Sequence, residues 1–309
     1  MELITDSNNI SGKYRDSIIT LGNFDGLHLG HQALVKMVID RAKEISGTSI
    51  VVTFHPHPLK ILAPDKCPPL ISIYEEKITM FTNMGVDVLV KIPFTLEFAS
   101  KSPREFVKDI LCDSLNVREI FVGHNYRFGR GREGNIERLK ALGVELGFRV
   151  NEIDYIAVNH EVVSSTKIRD LLKDGEIEHA AKLLGRPYAI TGTVIQGDGR
   201  GKALGFPTAN IVPEHEIIPA RGVYAVKVSL RGQHYSGIAN IGYRPTFDKD
   251  ILTTEANIFD LNEDIYGEKI TLYFIHRIRD EKKFPDADAL IQQINLDVES
   301  AKVYLQLHQ

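Results

Sequence analysis

Two histidines, His28 and His31, end the stretch Leu-Gly-Asn-Phe-Asp-Gly-Leu-His-Leu-Gly-His at residues 21–31. An apolar segment precedes this stretch and residues 32–45 carry apolar side chains at helical spacing, which predicts a strand-to-helix turn. A helix N-terminus offers free N–H groups and partial positive charge to a phosphate. Imidazoles placed there can donate hydrogen bonds to phosphoryl oxygens that gain charge as a bond to phosphorus breaks. The stretch therefore predicts a phosphate-transfer site, and a turn with two surface histidines is the alternative.

Three further stretches place polar side chains at the ends of predicted elements. Residues 55–58, His-Pro-His-Pro, follow a predicted buried strand. Residues 124–134 interleave arginines and aromatic residues with glycines, a composition that suits a loop that binds a phosphate or stacks on a ring. Residues 163–169, Val-Ser-Ser-Thr-Lys-Ile-Arg, introduce a predicted helix over residues 168–173, which the hydroxyls can cap and whose N-terminal cations are explained by a bound anion. A stiff loop, a solvated charged turn and a simple helix cap are the alternatives. The histidines could also bind a metal ion, but zinc sites usually include carboxylate or thiolate ligands at recognisable spacing, and no such ligands accompany these histidines.

The second half of the chain carries a glycine-rich, cationic stretch of its own. Residues 197–210 read Gly-Asp-Gly-Arg-Gly-Lys-Ala-Leu-Gly-Phe-Pro-Thr-Ala-Asn. Such a loop can wrap phosphates through its backbone N–H groups. Thr208 and Asn210 offer the hard oxygen ligands that suit Mg²⁺ bound to a nucleoside triphosphate. Glu255 is one acid on a strand of otherwise apolar or small residues, and opposite a phosphate loop it could accept a hydroxyl proton. A long hairpin loop and a solvent-facing carboxylate are the alternatives.

The predicted secondary structure that must position these residues changes near Arg186. Before it, β-branched apolar strands alternate with amphipathic helices, which predicts a parallel, Rossmann-like sheet. After Tyr188, short alternating strands and one closing helix over residues 286–307 predict a small antiparallel β-barrel. We therefore predict an α/β domain over residues 1–186 and a β domain with a terminal helix over residues 187–309.

Composition limits the function classes. The net charge is −4 and the hydrophobic and charged fractions, 43% and 25%, are those of an ordinary globular protein, which argues against broad electrostatic binding of nucleic acid. Two cysteines provide no disulfide framework, and no signal-peptide pattern or apolar run of membrane-spanning length is present. We expect a cytoplasmic enzyme with no nucleic-acid or membrane partner, and the oligomeric state is open.

The order of the motifs resembles that of the bacterial bifunctional riboflavin kinase/FMN adenylyltransferase (FAD synthetase) family over essentially the whole length. Residues 22–31 look like the nucleotidyltransferase signature, and together with residues 164–169 they match the adenylyltransferase module. Residues 199–210, 240–242 and 244–246 match the kinase module, and Glu255 stands at the family's catalytic glutamate. The resemblance implies contacts with ATP or flavin at Gly22, Phe24, Asp25, Gly30, Asn125, Arg127, Ser165, Thr166, Gly199, Arg200, Gly201, Lys202, Gly205, Pro207, Asn240 and Arg244.

Two successive reactions are implied by this resemblance. In the kinase module, Glu255 would take the proton of the ribityl 5′-hydroxyl of riboflavin as it attacks the γ-phosphate of ATP, with Mg²⁺ held near Thr208 and Asn210. In the adenylyltransferase module, the phosphate of FMN would attack the α-phosphate of a second ATP to give FAD and pyrophosphate. The charge that develops would be stabilised by His28, His31 and Arg169.

Four positions depart from the family pattern. Asn125 and Lys167 replace a common Asp and Arg, His55 replaces a common Glu, and Asn257 replaces a common His. These departures bear on fine positioning and relative rates. Two rival functions are a nucleotidyltransferase for another phosphate acceptor, such as a pantetheine or glycerol phosphate, and a flavin-sensing regulator that binds flavin or RNA without turnover.

Overall fold

The computed structural model describes residues 1–5, 12–158, 161–197, 201, 204–245 and 250–307. It separates into two compact units, Met1–Ser164 and Ser165–Gln309. Within the described residues, no helix is both long and apolar enough to cross a membrane.

The first unit is built on a six-stranded parallel sheet in the order β1-β4-β3-β2-β5-β6. Its strands are β1 (Glu2–Ile4), β2 (Ser17–Leu21), β3 (Thr48–His55), β4 (Val88–Pro93), β5 (Val117–Gly123) and β6 (Arg149–Ile153). A two-stranded hairpin, β7 (Ala157–Val158) with β8 (Glu161–Val162), follows. The predicted parallel Rossmann-like sheet is confirmed. The edge strand β1 was not predicted, because three residues carry too little pattern to reveal a strand.

Helices cover both faces of this sheet. They are α1 (Leu29–Glu44), α2 (Pro58–Leu62), α3 (Tyr74–Met84), α4 (Leu96–Ala99), α5 (Pro103–Glu105), its π-type continuation Phe106–Ser114, and α6 (Ile136–Leu146). Successive residues of β3 point to opposite faces, so Val51 packs with Leu34 and Phe81 of α1 and α3. Ile50 and Val52 pack in the opposite layer with the helix over Phe106–Ser114 and with α6. Burial on both faces explains why these strands are continuous apolar runs.

The second unit begins with two helices and closes a six-stranded antiparallel barrel in the order β10-β13-β12-β11-β14-β9. Its elements are α7 (Ser165–Asp174), α8 (Ile177–Leu184), β9 (Tyr188–Ile195), β10 (Ala209–Pro213), β11 (Gly222–Leu230), β12 (Gln233–Pro245), β13 (Asp250–Ile258), β14 (Lys269–Arg279) and α9 (Ala287–Leu307). The predicted small barrel with a terminal helix is confirmed.

Helices α7 and α8 pack within the same compact unit as the barrel. The Ala220 N–H donates to the Leu172 carbonyl at 3.0 Å, and Arg277 of β14 donates to the Asp174 carbonyl at 3.1 Å. His276 pairs with Glu178 of α8. The compact units therefore divide before α7, whereas the change of sequence pattern lies after α8; the boundary at Arg186 stays a prediction about the activities.

Two candidate active sites

The histidine stretch lies where the parallel sheet changes direction of winding. Strand β2 is flanked by β3 on one side and β5 on the other. The loop that follows β2 and the loop that follows β5 therefore border a crevice at the carboxyl edge of the sheet. Open α/β sheets bind their ligands in this crevice. Residues 22–28 therefore lie where a ligand is expected from topology alone.

His28 is the N-cap of α1. Its Nδ1 accepts a hydrogen bond from the His31 backbone N–H at 3.3 Å, and the two imidazole rings stack with centroids 3.6 Å apart and planes 16° apart. Because Nδ1 is the acceptor, the proton of the neutral His28 ring resides on Nε2. A Cβ at Gly30 would lie 3.2 Å from the His28 ring, so the glycine makes room for this ring.

His31 is held as a neutral base by its surroundings. Burial lowers the pKa of His31 well below its usual value, and the nearby charges of His28 and Lys77 lower it further. Its ring meets Phe24 edge to face, with centroids 5.3 Å apart. Among the described residues, no hydrogen-bond partner reaches the buried His31 Nδ1 atom. The site thus offers a neutral imidazole to a ligand, because burial disfavours a positive charge on the His31 ring.

Asp25 stabilises the loop that follows β2. Its carboxylate accepts the backbone N–H of Ile71 at 3.0 Å and that of Ser72 at 3.3 Å, and the Gly26 N–H donates to the Ser72 hydroxyl at 3.1 Å. Asp25 is buried, so these bonds tie the loop after β2 to the segment before α3. A direct contact of Asp25 with nucleotide or flavin stays a prediction.

Lys77 was missed by the sequence interpretation. It is only 7% exposed, and its Nζ donates to the Asn23 carbonyl at 3.0 Å. Burial lowers the pKa of Lys77, while the charge of Asp25 opposes that shift. The available signal was its position: Lys77 lies four residues before Phe81 on the buried stripe of α3, where a lysine is unusual.

The remaining candidates of the first unit lie at the ends of β3 and β5. Asn125 and Arg127 are exposed in the turn after β5. His55 ends β3 with its ring 4.9 Å from that of Tyr74, and burial and the charge of Lys91 lower its pKa. Gly22 makes room for Phe24, whose ring would lie 3.3 Å from a Cβ there. The nucleotide and flavin contacts assigned to these residues stay predictions.

Ser165, Thr166 and Arg169 belong to the second unit. The sequence predicted that these hydroxyls precede and cap a helix beginning at Ile168, whereas α7 begins at Ser165, so both hydroxyl residues lie in its first turn; Arg169 is buried on the same helix. Their roles in adenylyl transfer stay predictions.

The barrel places the kinase candidates side by side through strand register. Glu255 of β13 is directly opposite Asn210 of β10 on one side and Asn240 of β12 on the other. Directly opposed residues of antiparallel strands have their Cβ atoms about 4.5–5.5 Å apart and point to the same face. One carboxylate is thus flanked by two amides, although these three residues span 46 positions of sequence.

These side chains line a cavity of about 570 Å³. Thr208 and Gly201 contribute to its wall, and the opposite wall is formed by the segment after β14 and by α9. A second cavity of about 390 Å³ is lined by Ala209 and Ala256, which alternate with Asn210 and Glu255 along their strands. Thr208 lines both cavities, so this residue marks the place where they meet.

Glycines let the backbone approach the polar side chains of the larger cavity. A Cβ at Gly201 would collide with the Phe206 carbonyl and lie 2.9 Å from the Thr208 hydroxyl, and one at Gly197 would collide with the Asn210 amide. Gly205 adopts φ +87°, which favours glycine. Asn257, the departure from the family pattern, donates its side-chain amide to the Pro207 carbonyl at 2.7 Å.

The described residues include part of the predicted kinase loop. Gly199, Arg200 and Lys202 lie outside the described residues, and so does the side chain of Arg244. In the described ranges, no group of three or more His, Cys, Asp or Glu residues is arranged to hold a metal ion.

Comparisons with known proteins assign one activity to each half of the chain. A sequence model of a family described as FAD synthetase matches residues 11–167, and one described as riboflavin kinase matches residues 184–305. A bifunctional riboflavin kinase/FMN adenylyltransferase from Buchnera aphidicola is 37% identical, covering 99% of this chain and 100% of its own length. The protein of that name from Bacillus subtilis is 38% identical, covering 93% and 92%. A solved structure from Streptococcus pneumoniae, described as a macrolide-efflux protein, is 34% identical with a TM-score of 0.87, covering 97% and 98%.

Proposed function

The chain belongs to the family of bifunctional riboflavin kinase/FMN adenylyltransferases, and we propose that its two reactions take place at the two sites described above. It phosphorylates riboflavin to FMN and then adenylylates FMN to FAD. A nucleotidyltransferase for another acceptor would leave the riboflavin kinase match of residues 184–305 unexplained.

The observation that carries the kinase assignment is the position of Glu255 between two amides in the larger cavity. Riboflavin binds there with its 5′-hydroxyl at Glu255, which takes the hydroxyl proton as the oxygen attacks the γ-phosphate of ATP; the bond from the γ-phosphorus to the β–γ bridging oxygen breaks, and ADP leaves. The phosphate chain of ATP reaches Thr208 from the smaller cavity, because Thr208 lines both. Asn240 and Asn210 orient the carboxylate and the reacting hydroxyl.

Thr208 and Asn210 fit a magnesium ion by the chemistry of their donor atoms. A hydroxyl and an amide carbonyl are hard oxygen ligands, and Gly201 and Gly197 let the backbone lie directly against these two side chains. When bound, Mg²⁺ supplies positive charge that offsets the negative charge of the triphosphate. We expect chelation by EDTA to abolish both reactions and added Mg²⁺ to restore them.

The loop between β2 and α1 serves adenylyl transfer. The His28 Nε2–H and the neutral His31 ring contact the phosphates of ATP at the N-terminus of α1, where backbone N–H groups add positive potential. Arg169 stabilises the departing pyrophosphate, with Ser165 and Thr166 binding nucleotide, as in the family pattern. No protein nucleophile is required, since the FMN phosphate is itself the nucleophile.

Chromatography of the flavin products tests both assignments in one protein. We expect Glu255→Gln to abolish FMN formation from riboflavin while FAD formation from supplied FMN continues, and His31→Gln to do the reverse. Glu299→Gln, which removes a carboxylate from the exposed surface of α9, is the control and should leave both rates unchanged. Loss of both activities in either variant, with the native circular dichroism spectrum, contradicts two independent sites.

The substrates are therefore small molecules: riboflavin, FMN and ATP. We propose a cytoplasmic enzyme, because both reactions consume ATP, and one that acts without a nucleic-acid or membrane partner.

A further inference from the structure

The terminal helix α9 has two halves with different surroundings. Ala301 and Leu305 of its C-terminal half pack in a buried cluster with Val223 and Ile238 of the barrel. In the N-terminal half the apolar residues are only half-buried or exposed; Leu290 and Ile294 line the larger cavity, and Ile294 also packs against the buried cluster. Fully buried apolar packing thus anchors the C-terminal half of the helix, while the N-terminal half forms part of a binding cavity.

One ion pair lies at the junction of these two halves. Arg279, the last residue of β14, donates from Nε to both carboxylate oxygens of Asp297 at 3.0 Å and from Nη2 to Oδ2 at 2.7 Å. The side chains are 19% and 2% exposed, respectively. Gln293 donates to Asp297 at 2.8 Å, and Arg279 Nη1 donates to the Asp280 carbonyl at 2.9 Å. A charge pair with one buried partner and this many directional bonds tolerates little displacement.

We call residues 280–286 and the first two turns of α9 the cavity wall. The ion pair contacts this wall and is linked to it by further side-chain contacts. The Arg279 guanidinium lies over the Phe284 ring at 5.6 Å, and Lys282 Nζ lies over the same ring at 5.1 Å. Lys282 also donates to Gln293 at 2.5 Å. The same cavity is bounded by Phe284, Leu290 and Ile294 on this side.

We propose that Arg279 and Asp297 are positioning residues for riboflavin kinase activity, which hold the cavity wall in the conformation that receives the flavin. This inference rests on the proposed function, in which riboflavin occupies the larger cavity. Each guanidinium nitrogen of Arg279 makes a hydrogen bond within the protein, and Arg279 and Asp297 lie in the lining of the larger cavity beside the wall. We therefore assign their effect to the conformation of the wall, because the proposed function gives the proton transfer to Glu255. Without the pair, each flavin molecule would have to order the wall as it binds, which weakens binding.

Two variants separate positioning from mere stabilisation. Asp297→Asn weakens the pair and leaves a buried guanidinium without its counter-charge, whereas Arg279→Met combined with Asp297→Leu removes both charges and leaves none uncompensated. We expect KM for riboflavin to rise about 10- to 100-fold in both, because two or three wall side chains must be ordered at each binding event. The values of kcat and of KM for ATP should stay within about threefold, since the reacting groups are elsewhere.

The matched control removes an exposed ion pair from the same barrel. Lys269 bonds Glu214 at 2.8 Å with both side chains well exposed, and Lys269→Met should leave every kinetic constant unchanged. FAD formation from FMN reports, in the same samples, on the rest of the protein. Riboflavin affinity is also measured directly by quenching of flavin fluorescence, which gives a result even in a variant too slow to assay.

The outcomes are distinct. Raised riboflavin KM and dissociation constant in both variants, with kcat retained, support the proposal. A lower melting temperature with riboflavin affinity within about twofold of the wild type overturns it and leaves the pair a purely structural contact. Full kinase activity in Glu255→Gln contradicts the proposed site itself, whereas an inactive Glu255→Gln beside unchanged riboflavin affinity in the pair variants overturns the present inference alone.

Discussion

Replacement of Lys77 by methionine tests how the loop after β2 is held. The Lys77 Nζ donates a hydrogen bond from α3 directly to the Asn23 carbonyl of this loop, and methionine fills a similar volume without the donor. A hydrogen bond from a charged group contributes about 1.5–3 kcal/mol. At about 1.4 kcal/mol per tenfold change, its loss corresponds to roughly a 10- to 100-fold lower kcat/KM for FAD formation if the loop shifts from its productive position.

The same substitution should also change the pH profile. The charge of Lys77 is one cause of the lowered pKa of His31, after burial and the charge of His28. Without that charge the pKa of His31 rises toward its usual value. The rate of FAD formation should then begin to fall at a higher pH on the acid side of its pH profile, which we call the acid limb. If Lys77 only filled space, its replacement would leave the acid limb at the same pH.

The assay compares both reactions of one polypeptide. FAD formation from FMN is measured across pH 5 to 9, about the range in which a histidine titrates, and FMN formation from riboflavin in the same preparation reports on the barrel. Lys36→Met is the control, because Lys36 is a surface residue of α1 with a 72% exposed side chain that pairs only with Asp40 among the described contacts. Wild-type kcat/KM and an unmoved acid limb in Lys77→Met would refute the assigned role.

Three further changes have defined outcomes. Gly30→Ala places a Cβ 3.2 Å from the His28 ring, so we expect FAD formation to fall about tenfold by kinetic assay, with stability retained because alanine favours helix. Asn257→Asp removes the donor to the Pro207 carbonyl beside Thr208, and kcat/KM for riboflavin phosphorylation should fall about tenfold while FAD formation from FMN is unchanged. The lowered pKa of His31 means that the unfolded chain binds a proton near pH 6.5 that the folded chain does not, so the free energy of unfolding decreases as the pH falls below about 6.5. Denaturation followed by circular dichroism should show a shallower decrease in His31→Gln.

The local pattern of the sequence predicted most of the fold. Apolar runs of β-branched residues and helical spacing depend on neighbours in the chain, so the strand-to-helix turn at residues 21–31 and the change to alternating strands after Tyr188 could be recognised directly. The family resemblance added the pair of activities, which the matched domains confirm.

Contacts between distant parts of the chain were decided by tertiary structure. Nothing in the spacing of Asn210, Asn240 and Glu255 places one carboxylate between two amides; the register of three barrel strands does so. Lys77 acquires its role only because α3 packs against a loop 54 residues earlier in the sequence. Sequence alone determined which residue types were available and in which local elements, because propensity and periodicity are short-range. Which of them meet, and which charges become buried, depends on strand order and helix packing, since those bring together residues with no local relation.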